Sequence, residues 1–355
     1  MKKKSKDRFQ ISNLKSQIYI VFLLFTILCS LGIIFACTPQ RDKILRKTKI
    51  MMDTIVTITV VSNSRGDANN AIDAAFSEIE RLEQLTTFFS AQSEVSQINK
   101  NAGISEVKIS PDIMDMLDKA MFVSKETDGA FDLTIGCVTA LYDFHKKTMP
   151  SHDAIKKNLY LVNYKDLVIN KNRSTAFLRK KGMLIDLGGV AKGYAVDKAV
   201  EALKKRGIKA GIVSVAGDIR VFGSKPEGKT WKMGIRNPRI KEDSLDDIMA
   251  TIDLKDMAIS TSGDYERYFM LNGKRYHHIL SPNTGYPAEK CQSVTVVAKD
   301  AVFTDAFATG IFILGVEQGM KILEKMGFDG VIVDSKGKIH ITPGIRGGIE
   351  FKRTY

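Results

Sequence analysis

From Leu167 to Ala298 the chain is cut into short β-rich runs, and none is long enough to build a fold alone. "LVIN", "MLIDL", "AGIVSVAG", "WKMGIRNP", "MATIDL" and "SVTVVA" are four to eight residues each, most of them bounded by polar or glycine-bearing turns. One interval between them, residues 191–206, reads as a helix. A second helix is expected to begin near Thr304, with that residue as its cap, and "GVIVDSKGKIHITPG" closes the chain as a hairpin. The pattern selects an α+β body of mostly antiparallel sheets packed with helices.

The segments before this core supply more helix. "TIVTITVV" (Thr54–Val61) is the expected first strand. In residues 68–89 the apolar positions Ala71, Ile72, Ala75, Phe76, Ile79, Leu82 and Leu85 recur at steps of three and four, the spacing of one helix face. Ser110 and Pro111 open another helix as N-cap and first helical residue, ahead of "DIMDMLDKAMFVSKETDG".

The N-terminus reads as a targeting segment. "MKKKSKDRFQ" is basic, Ile18 to Phe35 is almost continuously apolar, and Ala36 precedes Cys37. That is the outline of a lipoprotein signal, in which the cysteine receives lipid, although eighteen apolar residues also suffice for one retained span. Residues 1–37 are therefore expected to be signal or anchor and 38–49 a basic linker, with the body at 50–355. Either reading places the body outside the cytoplasm on a membrane, since the positive end stays inside.

Charge narrows the partners. The formal net charge is +13, and it falls to +8 once the six basic and one acidic residue of the prefix are set aside. A scattered excess of that size suits an anionic ligand or anionic membrane surface and does not point to nucleic acid. Cys29 lies in the apolar run, which leaves Cys137 and Cys291 in the body: enough for one disulfide, too few for a metal cluster.

Glycines gather beside polar residues at four loops: "DLGG" (Asp186–Gly189), "AGD" (Ala216–Asp218), "STSGDYERY" (Ser260–Tyr268) and "HHILSPNTGYP" (His277–Pro287). Such loops either let backbone approach a ligand or are ordinary turns. The helix opening at Ala191–Gly193 would offer free N–H groups to a diphosphate. No Walker loop and no dinucleotide-binding glycine fingerprint in a strand–helix setting is present. In "TDAFATG" (Thr304–Gly310), Asp305 and Thr309 stand four apart and share a helix face. Two oxygen donors there suit a hard cation such as Mg²⁺, or are a dipole-favoured acid and a space-filling threonine. His277 and His278 lie beside a glycine-rich polar loop, where a histidine either takes a proton from an attacking hydroxyl or bonds only to backbone.

Taken in order, "MDTIVTI" (Met52–Ile58), "DGAFDLTIG" (Asp128–Gly136), "DLGGVAKGYAVD" (Asp186–Asp197), "AGDIR", "STSGDYERYF", "HILSPNTGYP" and "TDAFATG" resemble the ApbE family of flavin transferases. The resemblance covers nearly the whole chain after the linker and implies an ApbE/T-fold-like body. Members bind FAD as substrate and, with Mg²⁺, move its FMN half to a threonine hydroxyl of an acceptor subunit in a membrane redox complex, releasing AMP. Some relatives instead hydrolyse FAD to FMN and AMP. The resemblance implies catalytic roles for His278 and Asp305, and metal contacts from Asp305, Thr309 and a main-chain oxygen at Ala191. It implies cofactor contacts from Met52, Asp186, Gly188, Gly189, Lys192, Tyr194, Asp218 and His278. Ser281 stands where the family usually has an acid or amide, so a charge at that loop position is missing.

Overall fold

A computed structural model of the chain describes residues 19–24, 42–88, 90–239 and 248–352. Most of the expected signal or anchor, with Cys29 and Cys37, lies outside those residues. Residues 19–24 are helical (α1) and belong to a unit of their own, Met1–Asp42. Among the described residues no helix is long and apolar enough to cross a membrane.

The second unit, Lys43–Tyr355, runs β1 (Lys43–Met51), β2 (Thr54–Ser62), α2 (Arg65–Thr86), α3 (Glu94–Lys100), β3 (Val107–Lys108) and α4 (Pro111–Glu126). It continues with α5 (Gly136–Thr139), α6 (His152–Leu159), β4 (Leu167–Asn170), β5 (Thr175–Leu178), α7 (Ala191–Lys205), β6 (Ala210–Val215) and β7 (Asp218–Phe222). Then come β8 (Trp231–Arg236), β9 (Ile248–Leu254), β10 (Ala258–Gly263), β11 (Tyr268–Leu271), β12 (Lys274–His277) and β13 (Cys291–Ala298). Helices α8 (Ala301–Leu314) and α9 (Val316–Met326) precede β14 (Asp329–Asp334), β15 (Ile339–Ile341) and β16 (Ile349–Phe351).

An eight-stranded antiparallel sheet, in the order β1-β2-β6-β7-β10-β13-β14-β15, is the frame. Helices cover one face, where Val56, Ile58 and Val60 of β2 meet Ile72, Phe76 and Ile79 of α2 in a core that extends to Phe307 and Ile311 of α8. Each such side chain, fully buried, contributes about 1.5–3 kcal/mol of transfer free energy. The opposite face is covered by a three-stranded sheet, β16-β9-β8, through Trp231, Ile235 and Ile252 against Val221, Ile259 and Val331. β13 is buried on both faces, which is why "SVTVVA" reads as a continuous apolar run rather than an alternating one.

Three expectations change, and one open alternative closes. Residues 43–49, expected within the linker, are strand: Lys43–Met51 form β1 and pair residue for residue with β2. Alternate residues Leu45 and Met51 pack on the helical core, so the polar side chains between them hid a half-buried strand. "MLIDL" forms one isolated bridge, Leu184 with Ile135, rather than a strand. Thr304 is not a cap: α8 starts at Ala301, and the Asp197 carboxylate accepts from the amides of Ala301 at 2.9 Å and Val302 at 3.0 Å. Cys137 and Cys291 are both buried and free, so they form no disulfide. By contrast, Ser110 does cap α4, accepting from the Ile113 amide, with Pro111 next.

Candidate active site

Four elements meet where the chemistry-bearing loops were expected: the β6–β7 turn, the N-terminus of α7, β10 and the first half of α8. Gly193 sets how closely the two helices approach. A Cβ there would lie 2.2 Å from the Ala301 carbonyl oxygen and 2.9 Å from the Asp305 Cβ, so only glycine admits this crossing. The Gly193 amide consequently reaches the Asp305 carboxylate, donating to Oδ2 at 3.0 Å. The helix N-terminus expected to cradle an anion thus already holds the carboxylate of its neighbour.

Lys192, one residue earlier, lies between two buried carboxylates. Its Nζ is 3.1 Å from Asp218 Oδ2, 3.2 and 3.3 Å from the two Asp305 oxygens, and donates to the Gly188 carbonyl at 3.0 Å. Burial works against the ammonium, but the two carboxylates outweigh it and hold the lysine pKa above its ordinary value. Burial, together with the Asp305 charge, pushes the Asp218 carboxyl up to about 7. Two acids and one ammonium packed this closely favour a bound proton or a second cation at the centre.

Hydroxyls complete the centre. Thr309, one turn beyond Asp305, has its Oγ1 3.1 Å from Ser262 Oγ and donates to the Asp305 carbonyl at 3.4 Å. Ser260 Oγ is 2.7 Å from Thr304 Oγ1, and its side chain also hydrogen-bonds Asp218. Ser260 and Ser262 lie two apart on β10 and so share the face toward α8, whereas Thr261 turns to Thr295 on the other. The alternating Ser-Thr-Ser inside the quoted "STSGDYERY" was the available signal for these two serines, which sequence reasoning did not single out. Phe131, in "DGAFDLTIG", was also passed over; a Cβ on Gly189 would lie 3.0 Å from its ring and 3.6 Å from Thr309 Oγ1.

His277 and His278 separate cleanly. His277 is buried, its Nε2 2.8 Å from the Ala288 carbonyl and its Nδ1 accepting from the Ile279 amide, so the neutral ring is fully used. His278 has its Nδ1 3.3 Å from the Arg267 carbonyl. With the proton assigned to Nδ1 by that bond, Nε2 is left as an acceptor. The ring keeps some accessible surface, yet protein atoms crowd it enough that desolvation is the main force on its charge. Desolvation, then the Arg267, His277 and Lys192 charges, depress its conjugate acid to about 3.

The remaining expected residues divide. Asp186 turns its carboxylate onto the loop itself, accepting from the Gly188 amide at 2.8 Å and from Thr139 Oγ1 at 3.1 Å. Met52 occupies the tip of the β1–β2 hairpin with φ 51°, followed by Asp53 at 55°, and its amide donates to Glu83 Oε1 at 2.8 Å. The β6–β7 tip beside it, Ala216 and Gly217, also has positive φ at both positions, and Ala216 bonds to Ile55. Met52 and Asp218 are therefore brought to one end of the sheet. Tyr194 is not brought to the centre: two residues along α7 from Lys192, it points the other way and donates to Asp112 on α4 at 3.1 Å. Ala191 is the first residue of α7, directly before Lys192. The Gly188 carbonyl accepts from the same Lys192 ammonium that pairs with both carboxylates.

Among the described residues no three His, Cys, Asp or Glu side chains converge as a metal site. Asp218 and Asp305 nevertheless fit a hard divalent cation, with the Lys192 ammonium standing at present where positive charge is wanted. Mg²⁺ is commonly held by one or two carboxylates plus neutral and phosphate oxygens, and the two carboxylates with the Thr309 hydroxyl are donors of the first two kinds.

Residues 52–332 match a model of the ApbE family. The chain is 30% identical over 287 residues to an FAD:protein FMN transferase of Klebsiella pneumoniae, covering 80% of this chain and 87% of that one. It is 32% identical over 245 residues to the protein of that name in Haemophilus influenzae, covering 67% and 70%. Among solved structures, the ApbE protein of Thermotoga maritima superposes with a TM-score of 0.79 at 32% identity, over 86% of this chain and 99% of that one. The apo flavinyl transferase ApbE of Pseudomonas stutzeri gives 0.75 at 26% identity, over 86% and 97%.

Proposed function

The chain belongs to the ApbE family, and from that premise we propose that it is an FAD:protein FMN transferase. In this reading it uses Mg²⁺ to move FMN from FAD to a threonine hydroxyl of a redox protein and releases AMP. The observation that carries the mechanism is the pair of buried carboxylates, Asp218 and Asp305, joined by Lys192 at the N-terminus of α7. A cation held by these acids, with Thr309 Oγ1 and the Ala191 main-chain oxygen, would neutralise charge on the diphosphate as it splits.

The residues then take the following parts. Lys192 and the loop at Gly188–Gly189 bind and orient the diphosphate. The incoming threonine oxygen forms a bond to the FMN phosphorus while the bond from that phosphorus to the bridging oxygen breaks, and that oxygen leaves with AMP. The threonine proton passes to Nε2 of His278. A ring whose conjugate acid is held at about 3 is a weak base, and a bound diphosphate offsets the Lys192 and Arg267 charges that help keep it there. Met52, at the hairpin tip beside Asp218, contributes apolar contact to the planar ligand. The N-terminal segment would hold this body on the membrane through lipid at Cys37, facing outward, where acceptor subunits of membrane redox complexes are met.

Product partition tests the reading against the hydrolytic alternative. The full chain is incubated with FAD and Mg²⁺, with and without a threonine-bearing redox domain, and AMP and free FMN are followed. AMP formed with FMN retained on the domain supports transfer. AMP and free FMN in equal amounts, whatever the domain, assigns the chain as an FAD diphosphatase.

A further inference from the structure

The sheet β16-β9-β8 covers the outer face of the eight-stranded sheet only in part. It lies over Val221 of β7, Ile259 of β10 and Val331 of β14, and among the described residues it leaves the outer side of the β1–β2 hairpin open. On β1, Leu45 and Met51 turn to the helical core, so Ile44, Arg46, Thr48 and Ile50 turn away from it. Ile50 stands directly opposite Ile55 of β2. Ile44 is 51%, Ile50 84% and Ile55 63% exposed. Between these ends Thr48 and Thr57 bond to each other across the strands at 3.1 Å. The result is an amphiphilic face about 20 Å long, with exposed isoleucine at both ends.

Toward β8 this face deepens into a groove of about 380 Å³, lined in part by Ile44, Arg46, Ile212, Lys225, Trp231 and Met233. The Lys225 ammonium lies 5.4 Å over the Trp231 ring. Among the described residues neither Lys225 nor Arg46 has an ion pair, whereas Lys232 beside them is answered by Glu350 at 2.8 Å. Residues 42–62 carry Lys43, Arg46, Lys47 and Lys49 against Asp42 and Asp53, so the hairpin as a whole is basic. Two unpaired cations flanking an apolar groove suit phosphate oxygens attached to an apolar body.

The chain that leads into β1 selects the occupant. Cys37, the residue read as lipid-bearing, stands six positions before Lys43. Six extended residues reach about 20 Å at most, so a lipid at Cys37 keeps the start of β1 within that distance of a bilayer. A single acyl chain binds reversibly, and a basic surface beside it makes the attachment stable.

Resting on the membrane placement in the proposed function, we propose that the outer face of the β1–β2 hairpin is a docking surface for an anionic phospholipid bilayer. Headgroup phosphates lie between Arg46 and Lys225, and Ile44, Ile50 and Ile55 meet the acyl boundary. The Met52 end of the sheet, and the reaction centre with it, is thereby held at the level of the membrane surface.

The test uses the full chain in vesicles of phosphatidylcholine, alone or mixed with phosphatidylglycerol, containing a nitroxide-labelled lipid. Ile50→Trp places a fluorophore on the face, and Ile104→Trp places one at an equally exposed position on the α3–β3 loop. Quenching of Ile50→Trp is expected to be at least about twofold greater in anionic than in neutral vesicles and to fall in high salt. Ile104→Trp should be quenched in neither. Adding Arg46→Glu and Lys225→Glu together should remove the anionic increment while FAD turnover in detergent stays unchanged. Equal quenching of Ile50→Trp in both vesicles, equal quenching at the two tryptophan positions, or an increment that survives the double variant would each overturn the docking surface. So would burial of the Ile50→Trp ring by self-association of the chain without quenching, which would make the face a protein interface. A chain that fails to float with either vesicle would instead remove the membrane placement on which the proposal rests.

Discussion

Lys192 and Asp305 are locked together across the α7–α8 crossing, with the ammonium 3.2 and 3.3 Å from the two carboxylate oxygens and the adjacent Gly193 amide 3.0 Å from one of them. One helix therefore supplies a cation and an amide to a single acid on the other. Any change at the crossing is felt at the reaction centre.

Asp305→Asn keeps the side-chain shape and an oxygen for the Gly193 amide but removes the charge. AMP release from FAD is expected to fall at least about 100-fold. The chemical-denaturation midpoint should shift by no more than about 1 kcal/mol equivalent. Steady-state kinetics beside urea unfolding separate the two effects.

Gly193→Ala acts through packing. The added Cβ would sit 2.2 Å from the Ala301 carbonyl oxygen, and both partners are backbone-fixed. The helices must part, at a cost of about 1–3 kcal/mol, and FAD turnover should fall with stability. Thermal unfolding with parallel activity measurements checks this; a variant as stable and as active as the parent would show the crossing to be adjustable.

The raised Asp218 carboxyl makes cation binding depend on pH. The unfolded chain holds this group near 3.8 and the folded one at about 7. Its contribution to apo stability is thus fully present below 3.8 and lost as pH rises through 7. A cation must displace the proton, so Mg²⁺ affinity should drop about tenfold per unit below pH 7, with proton release on binding. Calorimetry in two buffers of different ionisation enthalpy measures that release, and Asp218→Asn should abolish it.

His278→Ala removes the proton acceptor while leaving the diphosphate contacts. Transfer to protein is expected to slow by about 100-fold or more with FAD affinity nearly unchanged. A loss of FAD affinity equal to the loss of rate would make His278 a binding residue instead.

Local signals in the sequence resolved much of the fold. The steps of three and four at Ile72, Phe76, Ile79 and Leu82 identify α2, and Ser110-Pro111 marks the start of α4, because both depend on residues near in sequence. β1 was missed because its exposed lysines mask the alternate buried positions, and its partner β2 lies across a turn whose Met-Asp pair lacks the usual glycine. The carboxylate centre was legible only as separate motifs. Asp305 and Thr309 share a helix face that four-residue spacing reveals. That Asp218 and Lys192 close on them depends on strand order and on the Gly193 approach, which are long-range properties. Tyr194 was drawn in by its place in the motif, although two residues along a helix turns a side chain well away from Lys192.

The most direct measurement is of Mn²⁺, as a spectroscopic stand-in for Mg²⁺, bound to the full chain in the presence of FAD. Electron paramagnetic resonance titration of the parent chain and of Asp305→Asn is expected to show one tight site per chain, lost in the variant and weakened as pH falls below 7. An unchanged site in Asp305→Asn would contradict the assignment of the metal to the Asp218–Asp305 pair.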